Sequence, residues 1–397
     1  MTRLALILSF MFLLACSPKE EAIPDIKNQQ KLIDTRAFAA QVGIVAYTSL
    51  SDANRAAQIF DSKLASFMYH PNPMSQDEIQ QYWRLAYDSF LSSVIFSYLP
   101  IQDPPDWYSQ EIDYKRLLMQ LDSWPIEGGY IDHIEGYPFS GIVNDLTLNI
   151  DEETIRSQHG FTDPSNASLG YHALEFMLWG DTGKRAPPEF FPQENTAPVP
   201  ISDDEHTSSA TDAETNEHGE THSIKPQNHN RRRQYTQLLS ELLQKDLHRI
   251  QRRWEPSNGY YAQLLRESSN ENTVQAAFIA AQDLIREELL KKRFQLISSE
   301  FSQTSNADLL ALLAGLEQWF IPVDAELQEA SLFFLMQQAD PKVAEDFSAS
   351  LQQSTACIRN MTTVPAEIDQ CKQDIITLLS NLRNAAKSLL VELPSLD

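Results

Sequence analysis

Two residues in the stretch GYHALEFMLWG, Gly170 to Gly180, are equipped for chemistry. His172 and Glu175 stand three apart. On a helix that spacing puts both side chains on one face, with Cβ atoms about 5–6 Å apart. An imidazole and a carboxylate so placed can share one cation, a geometry related to that of di-iron bundles, where the Glu comes first. The pair supplies only two ligands, so others come from elsewhere in the chain or from water. The pattern alone is a weak sign: nine His and 55 acids in 397 residues give roughly one His-x-x-acid pair by chance. Its flanks make it informative. Ala173, Leu174, Phe176, Met177, Leu178 and Trp179 leave the helix apolar on nearly all sides, as in a buried helix. A buried ionised carboxylate without a partner is costly, so something compensates the pair. A metal ion, an arginine such as Arg116, or mutual hydrogen bonding would each do so. Ser168 is the expected N-cap of this helix and Gly180 its C-cap.

The usual marks of enzymes are missing. A zinc peptidase of the His-Glu-x-x-His type, or its inverse His-x-x-Glu-His, needs a second histidine, and Phe176 occupies that place here. There is no Gly-x-Ser-x-Gly elbow and no phosphate-cradling loop. With only His and carboxylate donors, hard or borderline ions suit the pair better than Cu(I).

Helices must position this pair. Apolar residues recur at helical spacing in TVQAAFIAAQDLIREELLKKRFQLI and in RRRQYTQLLSELLQKDLHRIQRRW. Thr304 to Phe320, Asp324 to Gln338 and Pro365 to Leu393 read alike. Earlier, Leu32 to Met68 contains two helical segments and Ser75 to Leu99 another. No series of alternating strands is present, so the expected class is all-α, in antiparallel bundles. Pro100 to Asp151 is rich in Pro, Gly and aromatics without a clean period, and reads as a long ordered loop over the site. From about Arg185 to Asn230, Pro, Ser, Thr and acids crowd out apolar residues. That stretch reads as a disordered insertion whose His206, His218, His222 and His229 fit no defined metal site. The expected layout is therefore an N-terminal helical half over 32–185, an acidic insertion over 186–230 and a C-terminal half over 231–397.

The formal charge of −24 argues against nucleic-acid binding. Arg3, the apolar run LALILSFMFLLA and Cys16 form an export signal too short for a lasting membrane helix. The ending LLAC resembles the lipobox of bacterial lipoproteins, with Cys16 receiving the lipid. Ser17 after it favours the outer membrane by the sorting rules that the resemblance carries. Residues 17–31 are polar and read as a tether. In an exported chain Cys357 and Cys371 are expected to form a disulfide, since no Cys-x-x-Cys or neighbouring His supports a metal.

These residues together resemble the imelysin-like family. GYHALEFMLWG is similar to its Gly-x-His-x-x-Glu signature. SWPIEGGYIDHI resembles its Trp-Pro…Tyr-Ile-Asp segment through Trp124, Pro125, Tyr130, Ile131 and Asp132. SGIVND resembles its Gly-Ile-Ile-Asn segment through Gly141, Ile142 and Asn144. The resemblance implies two bundle-like halves arranged as a duplication. It also implies an envelope protein that binds a metal ion or metal chelate, with iron as the metal, and that works with an iron-transport partner. The family is also filed with metallopeptidases, so metal-dependent peptidase activity is the alternative it carries. By position His172 and Glu175 become metal ligands and Asp132 a third, with Tyr130, Asn144 and Trp124 lining the site.

Overall fold

The computed structural model describes residues 33–101, 113–193, 214–215, 221–222, 228–321 and 325–396. The export signal, Cys16 and the tether lie outside them, as does most of the acidic insertion. The class is all-α, as expected. Among the described residues the only strands are the two-residue pair Glu214–Thr215 and Thr221–His222. No described helix is long and apolar enough to cross a membrane.

Helix α1 (Arg36–Tyr69) is one unbroken element rather than two. Phe38, Val42, Ala46, Leu50, Ala53, Ala57, Phe60, Leu64 and Phe67 are buried along it at steps of three and four, one continuous stripe. The polar stretch around Ser51 and Asn54 does not interrupt it. Ser51 Oγ donates back to the Tyr47 carbonyl at 2.6 Å, and Asn54 Nδ2 donates across to Gln251 Oε1 at 2.7 Å. Helix α2 (Pro73–Ser93) starts on a capping box between Asn72 and Ser75, with Pro73 at its first position. A 3₁₀ turn, Val94–Tyr98, follows it.

The aromatic region, expected as one long loop, holds two short helices among its described residues, α3 (Tyr114–Leu121) and α4 (Gly128–Ile131), and α5 (Glu152–Gln158) follows it. Next come α6 (Tyr171–Trp179), which carries the His-x-x-Glu pair, and α7 (His229–Arg253). Helices α8 (Tyr260–Glu267) and α9 (Asn270–Asp283) lead into a π-helical stretch, Leu284–Arg293. After it stand α10 (Ser305–Phe320), α11 (Leu332–Ala339), α12 (Pro341–Asn360) and α13 (Pro365–Ser388).

Asp34–Asp397 form one compact unit. Helix α1 packs on both α2 and α7, α2 packs on α10, and α6 is held between α2 and α7. Segments from either side of the acidic stretch thus share one core. The fold also extends further into that stretch than its composition suggests. Phe190 is fully buried and meets Phe67 edge-on at 5.2 Å, so the chain up to Gln193 is part of the packed structure. Two buried aromatic rings outweigh the Pro and acid content around them. Cys357 and Cys371 are bonded, with Cα atoms 5.4 Å apart, and join α12 to α13.

Candidate functional site

Helix α6 begins at Gly170, not at Ser168. Ser168 Oγ instead donates to the Ile155 carbonyl at 2.8 Å. Gly170 has φ +91°, and a Cβ there would lie 2.3 Å from the Gln120 carbonyl oxygen and 2.5 Å from that of Leu121. Only glycine fits both the left-handed backbone and this approach. The contact has a function. It seats the first turn of α6 against the end of α3, so that His172 meets the next residue, Asp122. Gly180, at φ +71°, closes the helix as expected.

His172 and Glu175 are both buried, at 1 % and 0 % exposure. His172 Nδ1 donates to Glu175 Oε2 at 2.8 Å. Its Nε2 lies 2.8 Å from the Tyr87 hydroxyl and 3.3 Å from Asp122 Oδ1. Tyr87, from α2, has one proton, and that proton goes to Asp122 Oδ1 at 2.6 Å. Its oxygen therefore accepts from Nε2–H, and both ring nitrogens carry hydrogen. Burial disfavours this imidazolium, but the bonds to Asp122 and Glu175 outweigh burial and raise its pKa to about 9. Of the three compensations open to the pair, mutual hydrogen bonding is the one found here. The compensating cation is the histidine itself.

The arginine at the centre is Arg293, not Arg116, which is exposed. Arg293 Nη2 donates to Asp122 Oδ2 at 2.8 Å, and Nη1 donates to Tyr87 Oη at 3.2 Å and Asp308 Oδ2 at 3.3 Å. Its guanidinium lies 5.0 Å over the Trp124 ring. Burial pushes the Asp122 carboxyl up, but Arg293 and His172 prevail and hold it well below the carboxylate range. The π-helical turn delivers Arg293. Phe294 N–H bonds five residues back, to Leu289, and this widens the last turn. Behind Glu175, Ser302 donates to Oε1 twice, from its backbone N–H at 2.8 Å and its hydroxyl at 2.7 Å. Asp308 is braced by Arg84 at 2.6 Å and by Ser299 at 2.8 Å, and it also accepts from Ser298.

Asp132 is not part of this cluster. Its carboxylate accepts from Arg232 at 2.6 and 3.1 Å, from Arg185 at 2.9 Å, from Asn144 at 3.1 Å and from the His133 backbone at 2.8 Å. Burial would raise its pKa, yet Arg185, His133 and Arg232 hold it well below the usual range. Two guanidinium groups repel a cation there, so Asp132 pins the loop to α7 rather than completing a metal site with His172. Asn144 stands with Asp132. Tyr130 Oη donates to the Gln158 carbonyl at 2.7 Å. Of the three expected lining residues only Trp124 stands beside the pair, its ring 6.3 Å from the imidazole.

Sequence reasoning missed Tyr87, Asp122, Arg293, Ser302 and Asp308. Asp122 carried a faint signal, an acid directly ahead of the Ser123-Trp124-Pro125 segment. Tyr87, Arg293 and Asp308 come from helices whose periodicity says nothing of which polar residue faces inward, and Ser302 comes from the turn ahead of α10. Among the described residues, no group of three or more His, Cys, Asp or Glu side chains is arranged to hold a metal ion. Asp122 keeps 15 % of its side chain exposed and borders a cavity of about 560 Å³. His172, Tyr87 and Glu175 do not line that cavity. Asp122 thus links the buried cluster to open space, as does Glu288, which lines the same cavity and lies 3.7 Å from Arg293 Nε.

These features define an all-helical protein built around a buried histidine held between two carboxylates. The imelysin family model matches residues 46–392, and the chain belongs to the imelysin family. Its fold is similar to that of a solved structure from Parabacteroides distasonis, described as an iron-regulated protein A precursor. That similarity has a TM-score of 0.61 at 14 % identity and covers 90 % of this chain and 96 % of the other. An imelysin-like protein from Psychrobacter arcticum is similar with a TM-score of 0.52 at 13 % identity, over 90 % and 94 % of the two chains. No curated protein matches the chain.

Proposed function

We propose that this protein is a lipid-anchored binding protein of the bacterial envelope that captures a metal ion or metal complex, with iron as the cargo. The observation that carries this reading is the placement of His172 Nε2 beside Asp122 Oδ1, at 3.3 Å, with Asp122 opening on the cavity. Glu175 sits on the other ring nitrogen. A carboxylate there fixes the tautomer that leaves Nε2 free once the imidazolium gives up its proton, the usual carboxylate–histidine–metal relation. His172 and Asp122 are then donors, Tyr87 Oη is a neighbour able to join them, and Glu175 orients the ring. Nitrogen and oxygen donors suit iron and other hard or borderline ions. The iron-regulated description of a fold neighbour supports iron in particular.

The test is elemental analysis of untagged protein purified without chelators, followed by titration with Fe²⁺ under anaerobic conditions. Wild type should bind one ion. His172→Ala and Asp122→Asn should each bind at least ten-fold more weakly, and Glu175→Gln should be intermediate. Identical titrations for wild type and His172→Ala, with both proteins shown folded by circular dichroism, would remove the proposal.

A further inference from the structure

Arg293 stands among three acids, Asp122, Asp308 and Glu288. Two of its nitrogens are taken: Nη2 by Asp122 Oδ2 at 2.8 Å, and Nη1 by Tyr87 Oη at 3.2 Å and Asp308 Oδ2 at 3.3 Å. The third is not. Nε is buried without a hydrogen-bond partner and lies 3.7 Å from Glu288 Oε2, which is equally buried and equally without a partner. The other oxygen of Glu288 is fully used, since Tyr98 Oη and Lys292 Nζ each donate to Oε1 at 2.5 Å. A charged donor and a charged acceptor thus face each other inside the protein across a gap too long for a hydrogen bond. Buried polar atoms are nearly always paired in native proteins, so this gap calls for an explanation.

The backbone sets the two groups on one side. Glu288 and Arg293 are five residues apart in the π-helical stretch. In an α-helix, at 3.6 residues per turn, residues five apart point about 140° from each other. The wider π turn narrows that angle. Closing the gap takes a shift of under about 1 Å, from 3.7 Å to a hydrogen bond of about 2.9 Å. The bonds to Asp122, Tyr87 and Asp308 hold the guanidinium back from it. The arginine therefore has one occupied seat and one prepared seat.

The occupied seat is also the group a cation has to reach. Asp122 Oδ1 faces His172 Nε2 at 3.3 Å while Oδ2 faces Arg293. A metal ion drawn to this carboxylate meets the positive charge of Arg293 on the same group, and like charges so close repel strongly in a buried site. We infer that Arg293 is a resident cation that competes with a metal ion for Asp122, and that Glu288 is the seat to which it moves when the ion takes Asp122. This rests on the proposed function and adds to it what guards the site and what opens it. The exchange leaves each acid with a partner. Asp122 gains the ion, Glu288 gains Nε–H, and Asp308 keeps Arg84, Ser298 and Ser299.

The test is anaerobic Fe²⁺ titration of the full chain as wild type, Glu288→Gln, Arg293→Met and the double variant, together with a crystal structure of Asp122→Leu. Gln keeps the size of Glu288 but sets an NH₂ or an uncharged oxygen against Nε–H, which weakens the second seat. Glu288→Gln should bind Fe²⁺ roughly five-fold more weakly than wild type and Arg293→Met roughly five-fold more tightly, within the range of coupling between contacting residues. In the Arg293→Met background the Glu288 change should have less than about a two-fold effect, because no arginine remains to seat. An equal loss in both backgrounds would overturn the inference, since Glu288 would then act only as a nearby charge. Where Arg293→Met does not fold, Arg293→Lys takes its place, because an ammonium cannot fork between Asp122 and Asp308. Asp122→Leu removes the occupied seat at similar volume, and its structure should show Nε bonded to Glu288 Oε2 at about 2.9 Å. A gap still at 3.7 Å would overturn the inference even where Fe²⁺ binds to wild type, and the proposed function would stand without it. No Fe²⁺ binding by any of the titrated proteins would remove the proposed function, and the gap in Asp122→Leu would still decide whether Arg293 has a second seat.

Discussion

His172 carries its own positive charge, and that charge has a measurable signature. Its folded pKa, about 9, lies above the ordinary 6.5. A raised pKa stabilises the fold fully below the ordinary value, and the contribution fades as pH rises through the folded value. The metal-free protein should therefore lose stability between about pH 6.5 and pH 9, on the order of 3 kcal/mol from this group. Chemical denaturation at a series of pH values reads the loss, and imidazole NMR signals give the titration directly. Asp122→Asn removes one acceptor and should move that titration towards 6.5. Arg293 is the other decisive residue. Arg293→Met leaves Asp122 and Asp308 without their shared guanidinium in a buried setting, where breaking such a network costs about 3–5 kcal/mol. A fall of that size in denaturant stability is expected, and a change under about 1 kcal/mol would mean that water replaces the arginine. At this scale the sequence was half readable. His172 and Glu175 stood out because their neighbours are apolar. Arg293 did not, because its partner lies 171 residues away in the chain.

Short elements, more than long ones, decide where the site forms. Gly170 lets α6 touch the end of α3, and Gly170→Ala puts a methyl group on two carbonyl oxygens. The variant should be destabilised by well over the ~1 kcal/mol of an ordinary Gly→Ala strain at positive φ. If it folds, its His172 titration should shift, because the ring no longer meets Asp122. The α12–α13 corner behaves oppositely. Opening the Cys357–Cys371 bond, which spans 14 residues, should cost about 3 kcal/mol in unfolding experiments. It should leave Fe²⁺ titrations unchanged, since neither helix supplies a residue to the cluster. The long amphipathic helices were legible from their 3.6-residue period. The π-helical turn was not, because a one-residue widening leaves the apolar count unchanged while redirecting Arg293.

At the level of the whole molecule, anchoring is the first question. Cys16→Ser should move the protein from the membrane fraction to the soluble one and abolish labelling by radioactive palmitate, and continued labelling would place the lipid elsewhere. The all-α architecture was legible because no stretch alternates in the manner of strands. The merging of the two helical halves into one core was not, because an acidic stretch between two periodic regions looks the same whether it separates bodies or merely bulges from one. Asp132 illustrates the same limit. Its neighbourhood in the sequence placed it with His172, but Arg185 and Arg232 claim it.

The order in which the cluster is completed has a consequence for biosynthesis. Asp122, His172 and Glu175 are made first, whereas Arg293, Ser302 and Asp308 emerge from the ribosome more than a hundred residues later. Until then the nascent cluster sets two acids against a single cation, His172, in an apolar setting. Co-translational burial of α6 is therefore disfavoured, and the last third of the polypeptide acts as the latch that lets the earlier helices close.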